Sequence, residues 1–287
     1  MNAATPLPLV PSSRPGDPPR SRAGVLQVLA TLPDKIGFEK MIAILVCLFW
    51  AWSFGTAGAQ EPQWHKIPPV RQYANPRLGK LLPDIESHMP PGHIYASNDL
   101  VNWAHETTHG LNSRIRNGVR GGGTGAVNAF YVGGDRAAVM REPRLRKSAV
   151  AGLVPTLFRE AGQQNSTFGL YVVGQGSWDG EPLYLLDEWT AYQNGTETAI
   201  ELSKIGHRMG ERESVENMLE FAAFATCLLR LVEARDPYYP DKPQLTAYVG
   251  YGLVRSIELG QAAQSIPGLA SPRGQQLIAA LKAEFTE

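Results

Sequence analysis

The stretch from Ser97 to Arg116, SNDLVNWAHETTHGLNSRIR, constrains this chain more than any other. It sets His105, Glu106 and His109 in the pattern H-E-x-x-H on a segment with helical periodicity. Side chains four apart in an α-helix lie one turn apart on one face, so two imidazoles can converge on one metal ion. Zinc is the cation that suits them. At about 100° per residue, Leu100, Ala104, Leu111 and Ile115 form an apolar stripe, the histidines flank it, and Glu106 stands beside them. Trp103 closes the other flank. Ser97 is the expected N-cap, with Asp99 in the first turn facing the positive end of the helix. A helix apolar on one side with a polar strip on the other suits the lining of a cleft.

A catalytic zinc takes three protein ligands and leaves one position open, so the chain must supply another donor. The extended pattern H-E-x-x-H-x-x-G-x-x-H would place it just downstream, but those positions hold Asn112 and Ile115. Residues 182 to 204 read as a second helix, PLYLLDEWTAYQNGTETAIELSK, with Pro182 in its first turn. Tyr184, Glu188 and Tyr192, each one turn apart, project from one face.

Taken together, the segments His105-Glu106-Thr107-Thr108-His109 and Asp187-Glu188-Trp189-Thr190-Ala191-Tyr192 resemble zincin metallopeptidases, and among these the gluzincin branch. In that branch the third ligand is a Glu on a later helix. The resemblance covers two short stretches. It departs from the thermolysin-like pattern N-E-x-x-S-D and is closer to lethal-factor-like gluzincins, which carry a Tyr ahead of the ligand Glu. It implies an α+β, mainly helical, zincin-like fold with a small β-hairpin beside the H-E-x-x-H helix. Glu188 is the expected third ligand; Glu197 and Glu201 are the alternatives, ahead of Glu181 and Asp187.

The chemistry implied is hydrolysis of peptide bonds, with Zn2+ as cofactor, a peptide or protein as substrate, and Glu106 as general base. Tyr184 and then Tyr192 are the candidates for stabilising the oxyanion, with Tyr131 and His207 behind them. Tyr192 could instead orient His105 or His109. The alternative is a zinc-stabilised, non-catalytic binding or cell-envelope module.

The N-terminus reads as an address. Residues 1–23 are Pro-rich with little apolar content and are expected to be disordered, and residues 1–40 as a whole read as a disordered tail or an over-long start ahead of Met41. Residues 41–59, MIAILVCLFWAWSFGTAGA, follow Lys40 and end in a small-x-small cleavage signal, so a signal peptide is expected, with an uncleaved anchor as the alternative. The protein is therefore expected to be secreted or periplasmic, and its apolar run falls short of the roughly 20 residues a spanning helix needs. Cleavage after Ala59 leaves residues 60–287 as one domain, with 22 Lys and Arg against 24 Asp and Glu. That balance offers nothing to nucleic acid. Of the two cysteines only Cys227 remains, in an apolar helix, so no internal disulfide is possible and Cys227 reads as core.

Within that domain, residues 60–96 are Pro-rich and read as a surface-wrapping lead-in, with His65, His88 and His93 expected in solvated loops. The glycine-rich run from Asn117 to Gly125 reads as a flexible connection. AVNAFYV and DRAAVM read as a hairpin turning at Gly133-Gly134, either with an exposed strand able to pair with an extended peptide or as a hairpin that only covers the core. Arg141, Arg144, Arg146 and Lys147 read as a solvated basic face, and residues 167–173, TFGLYVV, as a strand. Asn165 and Asn194 head glycosylation sequons. Helices are expected over Ser214–Asp236, which is buried, over Gln244–Gly260, packed through Gly250 and Gly252, and from a Ser271-Pro272 start to Phe285.

Overall fold

In a computed structural model, the residues described are 61–92, 99–119, 127–159, 166–207 and 212–285. The expected signal peptide and Pro-rich tail, Ser97, His93, the glycine run from Arg120 to Gly125, and Asn165 lie outside them. The fold is mainly helical with one three-stranded antiparallel sheet, as anticipated. In chain order the elements are β1 (His65–Lys66), α1 (Leu81–His88), α2 (Leu100–Val119), β2 (Val127–Gly133), β3 (Arg136–Arg141), a π-helical turn (Phe168–Val173), α3 (Tyr184–Lys204), α4 (Arg212–Arg235), α5 (Lys242–Gln264) and α6 (Pro272–Phe285). No described helix is long and apolar enough to cross a membrane.

The sheet, ordered β1-β3-β2, separates two cores. Phe130 and Val132 of β2, with Ala138 and Met140 of β3, face the larger core, built with α3 to α6. Ala129, Tyr131 and Ala137 face the smaller one, built with α1 and α2. Alternate side chains of a strand point to opposite faces, so β2 is buried on both. This corrects the exposed peptide-pairing strand. The outer edge of β2 is also occupied: at Tyr131 the amide donates to Asn112 Oδ1 (2.7 Å) and the carbonyl accepts from Asn194 Nδ2 (2.9 Å). The hairpin turn falls one residue later than anticipated. Gly134 and Asp135 occupy it with φ of 61° and 60°, while Gly133 (φ 88°) pairs with Arg136 after an irregularity in the ladder.

Three other expectations are corrected. Residues 81–88 form a helix whose first free amides, at Lys80 and Leu81, both donate to Glu201 Oε2 (2.8 and 2.9 Å), a partner no local pattern reveals. The expected strand at 167–173 is a π-helical turn. Its carbonyls at Tyr171, Val172 and, just beyond the turn, Gly174 accept hydrogen bonds from Lys147 Nζ, and Lys147 is wholly buried rather than solvated. Arg141, Arg144 and Arg146 are exposed, as anticipated, with Arg141 and Arg146 facing Asp241 and Asp179. Asn194 is also fully buried and hydrogen-bonded, which excludes it as a glycosylation acceptor in the folded protein.

α4 is the central helix anticipated: from Met218 to Val232 nearly every apolar side chain is buried, Cys227 among them. Burial pushes the Cys227 thiol up to about 11. α5 packs on α3 at Gly252, where a Cβ would stand 2.5 Å from Trp189 Cη2; Gly250 meets nothing. Ser271 caps α6, its Oγ accepting from the Gly274 amide at 2.8 Å.

Candidate metal centre

α2 starts at Leu100 with Asp99 capping it: Asp99 Oδ1 accepts from the amides of Val101 (2.9 Å) and Asn102 (3.3 Å). From this start His105 and His109 fall one turn apart, with their Nε2 atoms 3.1 Å from each other. α3 crosses α2 closely where Gly195 passes the Val101 carbonyl and the His105 Cβ. That crossing brings Glu188, in the second turn of α3, against both rings. Glu188 Oε2 lies 3.7 Å from His105 Nε2 and 3.6 Å from His109 Nε2.

Three donor atoms spaced 3.1, 3.7 and 3.6 Å apart form one face of a small tetrahedron. With bonds of about 2.1 Å, tetrahedral zinc separates its ligands by about 3.4 Å. Glu188 Oε1 accepts from the Tyr184 hydroxyl at 2.5 Å, whereas Oε2 is buried with no hydrogen-bond partner. An orphaned carboxylate oxygen in a protein interior is costly unless a cation meets it. The residues present therefore fit a metal ion, and His105, His109 and Glu188 are the set that would hold it.

The shell behind these atoms is built to aim them. His109 Nδ1 lies 2.7 Å from Asp187 Oδ2, Asp187 Oδ1 accepts from Asn112 Nδ2 at 2.6 Å, and Asn112 Oδ1 accepts the Tyr131 amide. A carboxylate at one ring nitrogen fixes the other as the ligating atom. The Tyr192 ring stands edge-on to His105, with centroids 4.4 Å apart. Burial pulls the His109 imidazole down, but the hydrogen bond and charge of Asp187, joined by Glu188, outweigh it and push His109 up to about 10. Burial and the neighbouring His109 charge hold His105 down at about 3.

The other anticipated residues separate cleanly. Glu197 is paired with Arg255 (2.6 Å), and Glu201 caps α1, so neither alternative ligand reaches the site. The Tyr131 hydroxyl donates to Asp84 Oδ2 at 2.7 Å in the smaller core. His207 is exposed beyond the far end of α3, roughly 28 Å along the helix from Glu188. His65 is exposed on β1. Glu106 is half-buried. Tyr184 and Tyr192 both belong to the site, the first on the ligand carboxylate and the second on a ligand ring.

Three residues went unanticipated in these roles. Asp187 and Asn112 orient His109. Tyr171, on the π-helical turn, has its phenol pushed up by burial and then by Glu188, with Glu106 adding to the effect, so it lies within electrostatic reach of both carboxylates. Only Asp187 carried a local signal, its place next to Glu188.

A second set, Asp84, His88 and Asp135, also comes together. There, both His88 ring nitrogens already face backbone carbonyls, Asp84 at 2.7 Å and Ile67 at 2.8 Å. Those contacts make His88 a buried tie between α1, β1 and the hairpin rather than the solvated loop residue anticipated.

Beside the metal centre lies a cavity of about 250 Å³, lined by His109, Glu188, Tyr184, Trp178, Glu181 and Arg116 among others. Trp178 stacks on Tyr184 with centroids 5.1 Å apart and planes 10° apart. Comparison with family models, with curated proteins and with solved structures gives no match for this chain.

Proposed function

We propose that the protein is an exported zinc-dependent peptidase. The reading rests on one observation: three donors converge, one of them an orphaned buried carboxylate oxygen, and two of the three, His109 and Glu188, line a cavity. A zinc ion held by His105, His109 and Glu188 would supply a Lewis acid and lower the pKa of water at its open position. Glu106, next to His105 on the same helix, takes the water proton and delivers it to the leaving amine. Asp187 and Asn112 keep the His109 ring turned so that Nε2 faces the centre.

Tyr184 is bound to Glu188 and so holds the ligand carboxylate in place. Tyr171, whose phenol packs against the Tyr184 and Phe221 rings and is hydrogen-bonded to Tyr192, feels the charge of Glu188 and joins Tyr184 and Tyr192 as a candidate to donate a hydrogen bond to the developing oxyanion. His109 and Glu188 line the cavity of about 250 Å³, where a substrate group would lie beside them.

The test is metal content and hydrolysis of a peptide library by the mature chain and by Glu106→Gln. Zinc retained by both, with cleavage by the wild type alone, supports the reading. Zinc without cleavage by either points to the metal-stabilised binding module. An absence of metal in both abandons the centre itself.

A further inference from the structure

We propose that Arg116 is a carboxylate-recognising residue, and that the substrate carries a free carboxylate two or three residues beyond the bond that is cut. This deepens the peptidase reading and rests on it. Arg116 lies seven residues after His109 on α2, two turns on and therefore on the same face, about 10 Å further along the axis. Both residues line the same cavity.

The guanidinium is held but not neutralised. Its Nη1 donates to Asn128 Oδ1 (2.9 Å) and its Nη2 to Ser113 Oγ (3.3 Å), both uncharged, while Nε is buried with no partner. Asn128, itself buried on β2, is turned by its own donation to Glu142 Oε1. Glu142 accepts the Leu183 amide on Oε2 at 3.1 Å. Burial above all holds the Glu142 carboxyl up at about 8, against the Leu183 amide and the Arg116 charge, which draw it down, and among the described residues no carboxylate pairs directly with the Arg116 guanidinium. One N–H on each Nη is left over after Asn128 and Ser113, and a fixed pair of this kind matches the two oxygens of a carboxylate in geometry as well as charge.

Span sets the register. Extended peptide advances about 3.3–3.6 Å per residue, so about 10 Å between the metal centre and Arg116 accommodates two to three residues. The carboxylate could be the C-terminus of the substrate, which makes the products di- or tripeptides, or an acidic side chain at the same distance.

The experiment compares zinc-loaded wild type, Arg116→Gln and Arg116→Lys on matched peptides. One set ends in a free acid, one in an amide, and one in an amide with Glu two or three residues past the cleaved bond. Loss of one charge-assisted pair predicts that Arg116→Gln raises KM about 10- to 100-fold on carboxylate-bearing peptides, leaves kcat and the amides nearly unchanged, and that Arg116→Lys falls between. Selectivity confined to free acids assigns the C-terminus; selectivity retained with internal Glu assigns the side chain. Equal cleavage of acids and amides by wild type overturns the proposal while sparing the peptidase reading. Should no peptide be cleaved, calorimetric binding of N-acetyl-Ala-Ala against its amide decides: binding of the acid alone, lost in Arg116→Gln, keeps the carboxylate site, and equal or absent binding overturns it. Thermal melts confirm that the variants are folded.

Discussion

Asp187 grips His109 from behind: its Oδ2 lies 2.7 Å from Nδ1, while the next residue in the chain, Glu188, faces Nε2 of the same ring from 3.6 Å. Two consecutive acidic residues thus meet one histidine, Asp187 at Nδ1 and Glu188 on the side of Nε2, where the proposed metal ion would be shared. Removing the Asp187 carboxylate leaves the proposed ligands in place but the ring free to turn. Asp187→Asn is expected to weaken zinc binding by about 10- to 100-fold. Competition against a chelator of known affinity measures this, and a change under about twofold would remove Asp187 from the centre.

The two histidines enter metal binding in different states. His105, held near about 3, is neutral and ready, whereas His109, held near about 10, must lose a proton. Zinc uptake at neutral pH is therefore expected to release about one proton, with apparent affinity rising about tenfold per pH unit and levelling above about pH 10. In the metal-free protein the sign is opposite. The His109 pair stabilises fully below its unfolded value of 6.5, and that contribution is lost as pH rises through about 10. Calorimetry in buffers of different ionisation enthalpy counts the protons.

Glu106 is half-buried, next to His105 in the chain and outside the His105, His109 and Glu188 set. Glu106→Gln is expected to leave zinc stoichiometry and melting temperature unchanged and to reduce turnover by at least about 100-fold, the scale of a lost general base. Tyr171→Phe should lower kcat with little change in KM, if the phenol meets the oxyanion. Steady-state kinetics on one peptide separates these effects, and an active Glu106→Gln protein sinks the hydrolytic mechanism.

Lys147 is buried, and its ammonium satisfies the carbonyls of Tyr171, Val172 and Gly174. Lys147→Met keeps the stem but orphans those acceptors, so a loss of about 2–4 kcal/mol is expected, with the segment carrying Tyr171 loosened first. Urea unfolding gives the total, and hydrogen exchange at residues 168–174 locates it.

At the α3–α5 contact a Cβ on Gly252 would stand 2.5 Å from Trp189 Cη2, and that indole also donates to Ser256 Oγ at 3.0 Å. The ring cannot yield without breaking its hydrogen bond. Gly252→Ala is expected to cost about 1–3 kcal/mol, read as a fall in melting temperature. Gly250→Ala, which meets nothing, is the control.

Much of the scaffold was legible because its signals are local. The spacing of His105 and His109, the apolar stripe of α2, the unbroken apolar run of α4 and the Ser271-Pro272 start of α6 are each written within a few turns of chain. The errors fall where a distant group overrides local propensity. β-prone residues 167–173 wind into a π-helical turn because Lys147, more than twenty positions away, takes up their carbonyls. Residues 81–88 look like a Pro-rich lead-in, yet they form a helix whose free amides are met by Glu201.

The sequence by itself determined which two imidazoles share a helical face, which follows from helical period and residue type, while the expectation of a carboxylate from the segment after Tyr184 came from the resemblance to gluzincins. Only the tertiary structure decided between the candidates. The close passage of α2 and α3 at Gly195 turns Glu188 inward, consigns Glu197 to Arg255 and Glu201 to α1, and makes Asn112 and Asp187 partners. Periodicity fixes the direction of a side chain about its own axis, but what it meets depends on where a second axis crosses. That crossing is set by packing among residues far apart in the chain.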